Sequence, residues 1–173
     1  MKVALLYTCH RQFEELRFTG AFLRRCDPLL RDADVFLHCN NGEMDPSLLQ
    51  QALDTLPNPT KCLLHTEENA GYKWGPLQQV SACLPMLSEY DYCIHMHPDV
   101  YITDDTKLVQ LLKDHHEDGN TAILVNCLHA AHVLDNDKAK TLSASGEGDV
   151  PAYSFDFFIL RPVRLPWLAT RYS

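Results

Sequence analysis

The chain has 173 residues, 46% of them hydrophobic and 22% charged, with a formal net charge of −8. That length suits one domain with a substantial core, and that composition is ordinary for a globular fold. A chain this acidic is poorly suited to gripping a nucleic-acid backbone by charge, so no nucleic-acid partner is expected.

The first predicted element is "KVALLYT" (2–8), a continuous apolar run that reads as a strand. It is too short for a signal peptide or a membrane span, so no integral membrane segment is expected and the default location is the cytoplasm. "RQFEELRFTGAFLRRC" (11–26) spaces Phe13, Leu16, Phe22 and Leu23 as one helix would. "DVFLHC" (34–39) is a second strand, and "DPSLLQQALDTL" (45–56) opens with Asp then Pro, an N-cap and first-turn pair. "KCLLHTE" (61–67) is a third strand. "GPLQQVSACLPMLSEY" (75–90) is a helix expected to kink or break at Pro85. "DYCIHMHPDVYI" is a fourth strand with an extension, and "DDTKLVQLLKDHHE" (104–117) is a helix with an acidic start. "TAILVNCLH" (121–129) and "AYSFDFFILRP" (152–162) complete six strands. The polar stretch "DNDKAKTLSASGEGDVP" (135–151) is either a functional lid or a disordered loop. The closing "LATRYS" carries no clear stop and leaves open whether the natural chain runs past Ser173.

Alternating strands and helices, with strands rich in Val, Ile and Leu, predict a single α/β domain over residues 1–173. Its central sheet is expected to be mainly parallel and flanked by helices. The seven cysteines are odd in number and form no CxxC pair; four fall in predicted strands and Cys9 directly follows the first. They read as small buried hydrophobes in a reducing compartment, against a disulfide framework or a Cys-rich zinc site.

Ligands of open α/β sheets bind outside the carboxyl ends of the strands. Polar residues gather there: Thr8, His10 and Arg11 after strand one, Asn40 and Asn41 after strand two, Thr66, Glu67, Gly71 and Lys73 after strand three, His97 and Asp99 after strand four, and His129 and His132 after strand five. In "HMHPDV", His95, His97 and Asp99 alternate, and strand periodicity would point all three the same way. A carboxylate with an imidazole suits Mn2+ and other transition metals better than Ca2+. His95 alone reads as a satisfied strand histidine, and Asp99 alone as a turn residue after Pro98. H-x-H-x-D also resembles the metal-binding run of metallo-β-lactamase-like hydrolases, but those place a His where this chain has Val100, and their organisation is richer in β-structure. In "ENAGYKWG" (68–75), Gly71 and Gly75 precede a helix whose N-terminus could hold a phosphate, with Lys73 adding a positive charge; a plain turn fits too. In "YSFDFFILRP", Asp156 stands among aromatics, where burial would raise its pKa toward that of a general base.

These segments together resemble GT-A-fold glycosyltransferases in a compact form, in order and spacing from about residue 2 to residue 162. "EYDYCIHMHPDVYI" is similar to their strand that leads into a D-x-D motif, with "HPD" in its place, and "SFDFFILRP" is similar to their late acidic–aromatic segment. The resemblance implies transfer of a sugar from a nucleotide-diphosphate sugar to a glycan or other hydroxyl acceptor. It implies Mn2+ or Mg2+ on Asp99, with His97 at the metal or the ribose. It also implies Thr8, His10, Arg11 and Asn41 at the base and ribose, Gly71 and Lys73 near the donor, and Asp156 as acceptor base or donor-orienting residue. His97 departs from the family, which carries Asp at that place. Two alternatives follow: a GT-A-like domain that binds nucleotide or glycan without transfer, and a metal-dependent phosphohydrolase or nucleotidyltransferase on a related sheet.

Overall fold

The computed structural model describes residues 1–67, 75–118, 123–129 and 151–164. Six strands, β1 (Val3–Cys9), β2 (Asp34–Cys39), β3 (Lys61–His65), β4 (Tyr92–Met96), β5 (Ile123–His129) and β6 (Pro151–Leu160), form one sheet in the order β3-β2-β1-β4-β6-β5. β3, β2, β1 and β4 run parallel to one another, while β6 runs antiparallel to both β4 and β5. The expected mainly parallel, helix-flanked sheet is the sheet found. Cys39, Cys62, Cys93 and Cys127, expected in strands, lie in strands, and Cys9 ends β1 one residue past its predicted run.

β1 and β4 are buried at every position, as strands covered on both faces must be. Alternate residues separate the two faces. Leu5, Tyr7, Leu37 and Ile94 face Leu16 and Leu23 of α1 (Leu16–Leu23), Leu30 of α2 (Pro28–Arg31), Leu49 and Leu53 of α3 (Pro46–Asp54), and Leu112 of α5 (Thr106–Asp118). Leu6, Phe36, Cys93 and Phe158 face Val80, Cys83, Leu84 and Leu87 of α4 (Gly75–Leu87).

Capping follows the sequence. Asp45 Oδ1 accepts the Ser47 N–H at 2.8 Å at the start of α3, and Asp27 Oδ1 accepts that of Leu29 at 2.8 Å at the start of α2. Each such cap is worth about 1 kcal/mol. Two expectations need correction. The single helix over 11–26 is instead a 3-10 turn (Gln12–Glu15) followed by α1. Arg11 precedes that turn with φ −142° and no side-chain cap, so nothing there starts a regular α-turn. Pro85 does not break α4, which continues to Leu87. The helix ends two residues beyond it, short of the expected Tyr90.

The α4 face turns polar at the carboxyl end of the sheet. His38 is 2% exposed; its Nδ1 lies 3.0 Å from the Gln79 carbonyl oxygen and its Nε2 3.0 Å from Thr66 Oγ1. A carbonyl only accepts, so Nδ1 carries the hydrogen and Nε2 accepts from the threonine hydroxyl. Burial holds the imidazole below the usual histidine range. On acidification the unfolded chain takes up a proton near pH 6.5 before the folded chain does. The stabilising contribution of neutral His38 is therefore whole above that pH and declines below it, by up to about 1.4 kcal/mol per pH unit, until the folded pKa is reached. Urea midpoints taken between about pH 7 and pH 5 should fall less steeply in His38→Gln than in the native chain. Parallel slopes would remove His38 as the cause.

Candidate functional site

β2 and β3 lie on one side of β1 and β4 on the other, so the sheet reverses direction of growth between β1 and β4. Ligands of open α/β sheets bind at such a switch point, beyond the carboxyl ends of the strands. His10 and Arg11 leave β1 there, and His97, Pro98 and Asp99 leave β4.

An open cavity of about 450 Å³ lies beside the switch point, lined by His10, Arg11, Asn40, Asn41, Gly42, Glu43 and Glu67. Three of these, His10, Arg11 and Asn41, are expected site residues. The Asn41 side chain builds the wall: Nδ2 donates to the His10 carbonyl at 3.1 Å, and Oδ1 accepts the Glu43 N–H at 3.1 Å. Its carbonyl oxygen also accepts from His65 Nε2 at 2.7 Å. His10 Nδ1 lies 3.2 Å from Asn40 Oδ1, which joins the ends of β1 and β2 across the cavity.

Gly42 and Glu43 escaped the sequence reading. Their signal is weak: they are the turn after the Asn pair. A Cβ on Gly42 would come within 3.1 Å of Glu67 Cγ and 3.2 Å of its Cα. Gly42→Ala therefore pushes the Glu67 segment by a few tenths of an ångström. The loss of backbone freedom in the unfolded chain offsets part of that strain, so stability should change by less than about 1 kcal/mol. Binding of a ligand in the cavity should weaken about fivefold, corresponding to ~1 kcal/mol. Titration calorimetry and a urea curve on the same variant check both numbers.

The metal-candidate segment is pinned rather than strand-like. β4 ends at Met96, and residues 97–100 form a turn closed by Val100 N–H donating to the His97 carbonyl at 3.0 Å. Pro98 occupies the second position of that turn, where its fixed φ fits. Thr19 Oγ1 of α1 donates to the Pro98 carbonyl at 3.1 Å. Tyr101 stacks near Phe22, with ring centroids 5.3 Å apart, and donates to Glu15 Oε2 at 3.1 Å. The expected alternation thus holds for His95 and His97, whose rings meet edge to face at 5.6 Å, but Asp99 sits on the turn and is exposed.

His95 is fully buried, stacked on Phe158 at 4.2 Å, with Nε2 2.7 Å from Thr8 Oγ1. Burial holds its pKa well below the usual range. It is a buried strand histidine, held at Nε2 by Thr8, while its Nδ1 has no hydrogen-bond partner among the described residues. Thr8 is 1% exposed and does not line the cavity; its hydroxyl serves the β1–β4 contact through His95.

Gly71 and Lys73 lie outside the described residues, as do His132 and residues 135–150 of the polar loop. Asp156 is placed on β6 by its backbone alone, and its side chain lies outside the described set, as does that of His129. Among the described residues, no three His, Cys, Asp or Glu side chains gather to hold a metal. Also among them, no helix is long and apolar enough to cross a membrane.

No family model matches the chain. No curated protein matches it in sequence either. Solved structures do match in fold. A mannosyltransferase from Pyrobaculum calidifontis in complex with GDP-Man and Mn2+ superposes with a TM-score of 0.60 at 14% identity, over 92% of this chain and 44% of that one. Core-mannan synthase A from Aspergillus fumigatus, in an Mn/GDP form, gives 0.54 at 11% identity, over 99% of this chain and 63% of that one. A CMP:2-keto-3-deoxy-manno-octonic acid synthetase complexed with CTP gives 0.58 at 10% identity, over 96% and 77%. These matches show a shared fold, the GT-A-like α/β sheet expected from the sequence. The chain spans less than half the length of the mannosyltransferase.

Proposed function

We propose that this domain transfers a sugar from a nucleotide-diphosphate sugar to a hydroxyl acceptor with the help of a divalent metal. The observation that carries the reading is the pairing of a polar cavity at the ends of β1, β2 and β3 with an exposed carboxylate on the pinned turn after β4, across a topological switch point. Neighbouring strands lie about 4.8 Å apart, so the rim from β3 to β4 spans roughly 15 Å. A nucleoside laid in the cavity would direct its diphosphate toward Asp99. Fold neighbours that carry GDP-Man or GDP with manganese are consistent with this arrangement.

Asp99 and His97 would hold the metal. One carboxylate with one imidazole fits Mn2+ or Mg2+ at a phosphate site, where these ions keep waters and take the remaining oxygens from substrate. Two protein donors therefore suffice, and a third need not come from the described residues. When bound, the metal would neutralise charge developing on the departing diphosphate. The chain's own residues do the rest. Arg11 offers a cation at the cavity edge, and the Asn41 corner fixes the wall against which the nucleoside rests. Lys73 and Gly71 are placed by this reading near the diphosphate. Asp156 either removes the acceptor proton or orients donor hydroxyls.

One observation favours a second reading. The cytidylyl-activating synthetase is matched over a larger share of its length than the mannosyltransferase. Nucleotidyl transfer would release pyrophosphate, whereas sugar transfer releases nucleoside diphosphate. The test is a panel of nucleotide-sugars with a sugar acceptor mixture and, in parallel, nucleoside triphosphates with free sugar acids, each with Mn2+, with the phosphorus products identified by NMR. Nucleoside diphosphate supports the proposal. Pyrophosphate from a nucleoside triphosphate and a free sugar acid replaces it with the second reading. Tight metal-dependent binding without any product assigns a binding domain.

A further inference from the structure

We propose that Cys9 and Cys39 form a thiol pair that closes into a reversible disulfide beneath the cavity. They end β1 and β2 and are register partners across these parallel strands. Register partners on parallel strands present their side chains on the same face, and strands lie about 4.8 Å apart, within the Cα separations that a disulfide accepts. Both residues belong to the same core face. Among the described strand pairs, no other two cysteines share a register. The Cys39 Sγ–H points to the carbonyl of His10, the residue after Cys9, at 3.9 Å, so the Cys39 sulfur lies against the end of β1. The residues that follow them, His10 and Asn40, line the cavity, so solvent reaches within one residue of each sulfur. Cys9 is 5% exposed and Cys39 is fully buried.

The pair is electronically unequal. The imidazoles of His10 and His65 near Cys39 suit it to the first attack and leave Cys9 to resolve it. The oxidant is a peroxide. The Cys39 thiolate takes one peroxide oxygen as a sulfenic acid, and the other oxygen leaves as hydroxide and becomes water. The Cys9 sulfur then attacks the Cys39 sulfur, the S–S bond forms, and the S–O bond breaks to release a second water with the Cys9 proton. In sum, two thiols and one hydrogen peroxide give one disulfide and two waters, and a dithiol reductant reverses the change.

The test uses the full chain and needs no nucleotide, so it stands apart from the transferase reading. The protein is treated with stoichiometric hydrogen peroxide, blocked with a maleimide under denaturing conditions, digested without reductant and mapped by mass spectrometry. The expected result is loss of two of the seven thiols, one linked peptide pair joining Cys9 to Cys39, and full recovery with dithiothreitol. Half-buried Cys62 is the internal comparator for simple exposure. In Cys9→Ser the linked pair disappears and Cys39 carries a sulfenic acid trappable by dimedone. Oxidation confined to Cys62, a link between other cysteines, or no Cys9–Cys39 peptide in the native chain overturns the proposal.

Discussion

Replacing Asp99 by alanine should abolish the Mn2+-dependent rise in melting temperature that the proposed function predicts for the native chain with nucleotide diphosphates or nucleotide-sugars. A ligand present at about 100 times its Kd adds about 2.7 kcal/mol to stability by mass action. In a domain of this size that is a shift of roughly 5–10 °C. The substitution itself should leave the melting temperature of the free protein nearly unchanged. Asp99 is exposed on a turn whose closing hydrogen bond joins His97 and Val100 through the backbone, and whose outer anchor is the Pro98 carbonyl on Thr19. None of these contacts uses the Asp99 side chain. Any transferase rate should fall by on the order of 10²–10³-fold, the size expected when transition-state charge loses a preorganised stabiliser. Chelation of the metal in the native chain should reproduce the variant, and adding Mn2+ should rescue the chelated native protein and not the variant. A melting shift that survives in Asp99→Ala moves the metal away from the turn. An unliganded melting temperature several degrees lower would mean that the carboxylate holds the turn.

The fold was legible where side-chain pattern alone decides it. β1 and β2 are continuous apolar runs because both faces of the sheet are covered, and the Asp45–Pro46 pair fixes the start of α3 to the residue. The pattern failed where an element ends for reasons outside itself. Residues 11–26 carry helical spacing throughout, yet a 3-10 turn precedes α1, where Arg11 offers no side-chain cap to start a regular helix. Asp99 looked like a strand residue because the apolar run resumes beyond it, at Val100 and Ile102, although Pro98 had already turned the backbone. The site was legible as a list and not as a shape. Placing His10, Arg11 and Asn41 on one rim needs only the rule about strand ends. Recognising that Gly42 makes room for Glu67, or that Cys9 faces Cys39, needs the order β3-β2-β1 and its register, which no local pattern encodes.

Gly20→Ala should destabilise the chain by about 1–3 kcal/mol, the usual cost of forcing extra volume into a packed contact. A Cβ at Gly20 would stand 2.8 Å from the Thr55 carbonyl oxygen, a backbone atom just past the end of α3. That oxygen is also the acceptor for Arg24 Nη2 of the same helical segment at 3.0 Å, so it is held from two directions. The favourable helix propensity of alanine, about 1 kcal/mol over glycine, offsets only part of the clash. The strain must move α1 away from α3, and the residue before Gly20 is Thr19, whose hydroxyl anchors the Pro98 carbonyl at 3.1 Å. The same small displacement therefore pulls on the turn that carries Asp99. Two readouts follow from one atom: a lower urea midpoint, and weaker Mn2+-dependent nucleotide binding. Thr19→Val separates them, because it removes the anchor while leaving the α1–α3 contact intact. It should cost about 1 kcal/mol through the lost hydrogen bond, and weaken the metal-dependent binding as Gly20→Ala does. If Gly20→Ala lowers stability while the metal-dependent binding stays native, α1 supports the core alone, and the turn is positioned by Tyr101 and the β4 strand without it.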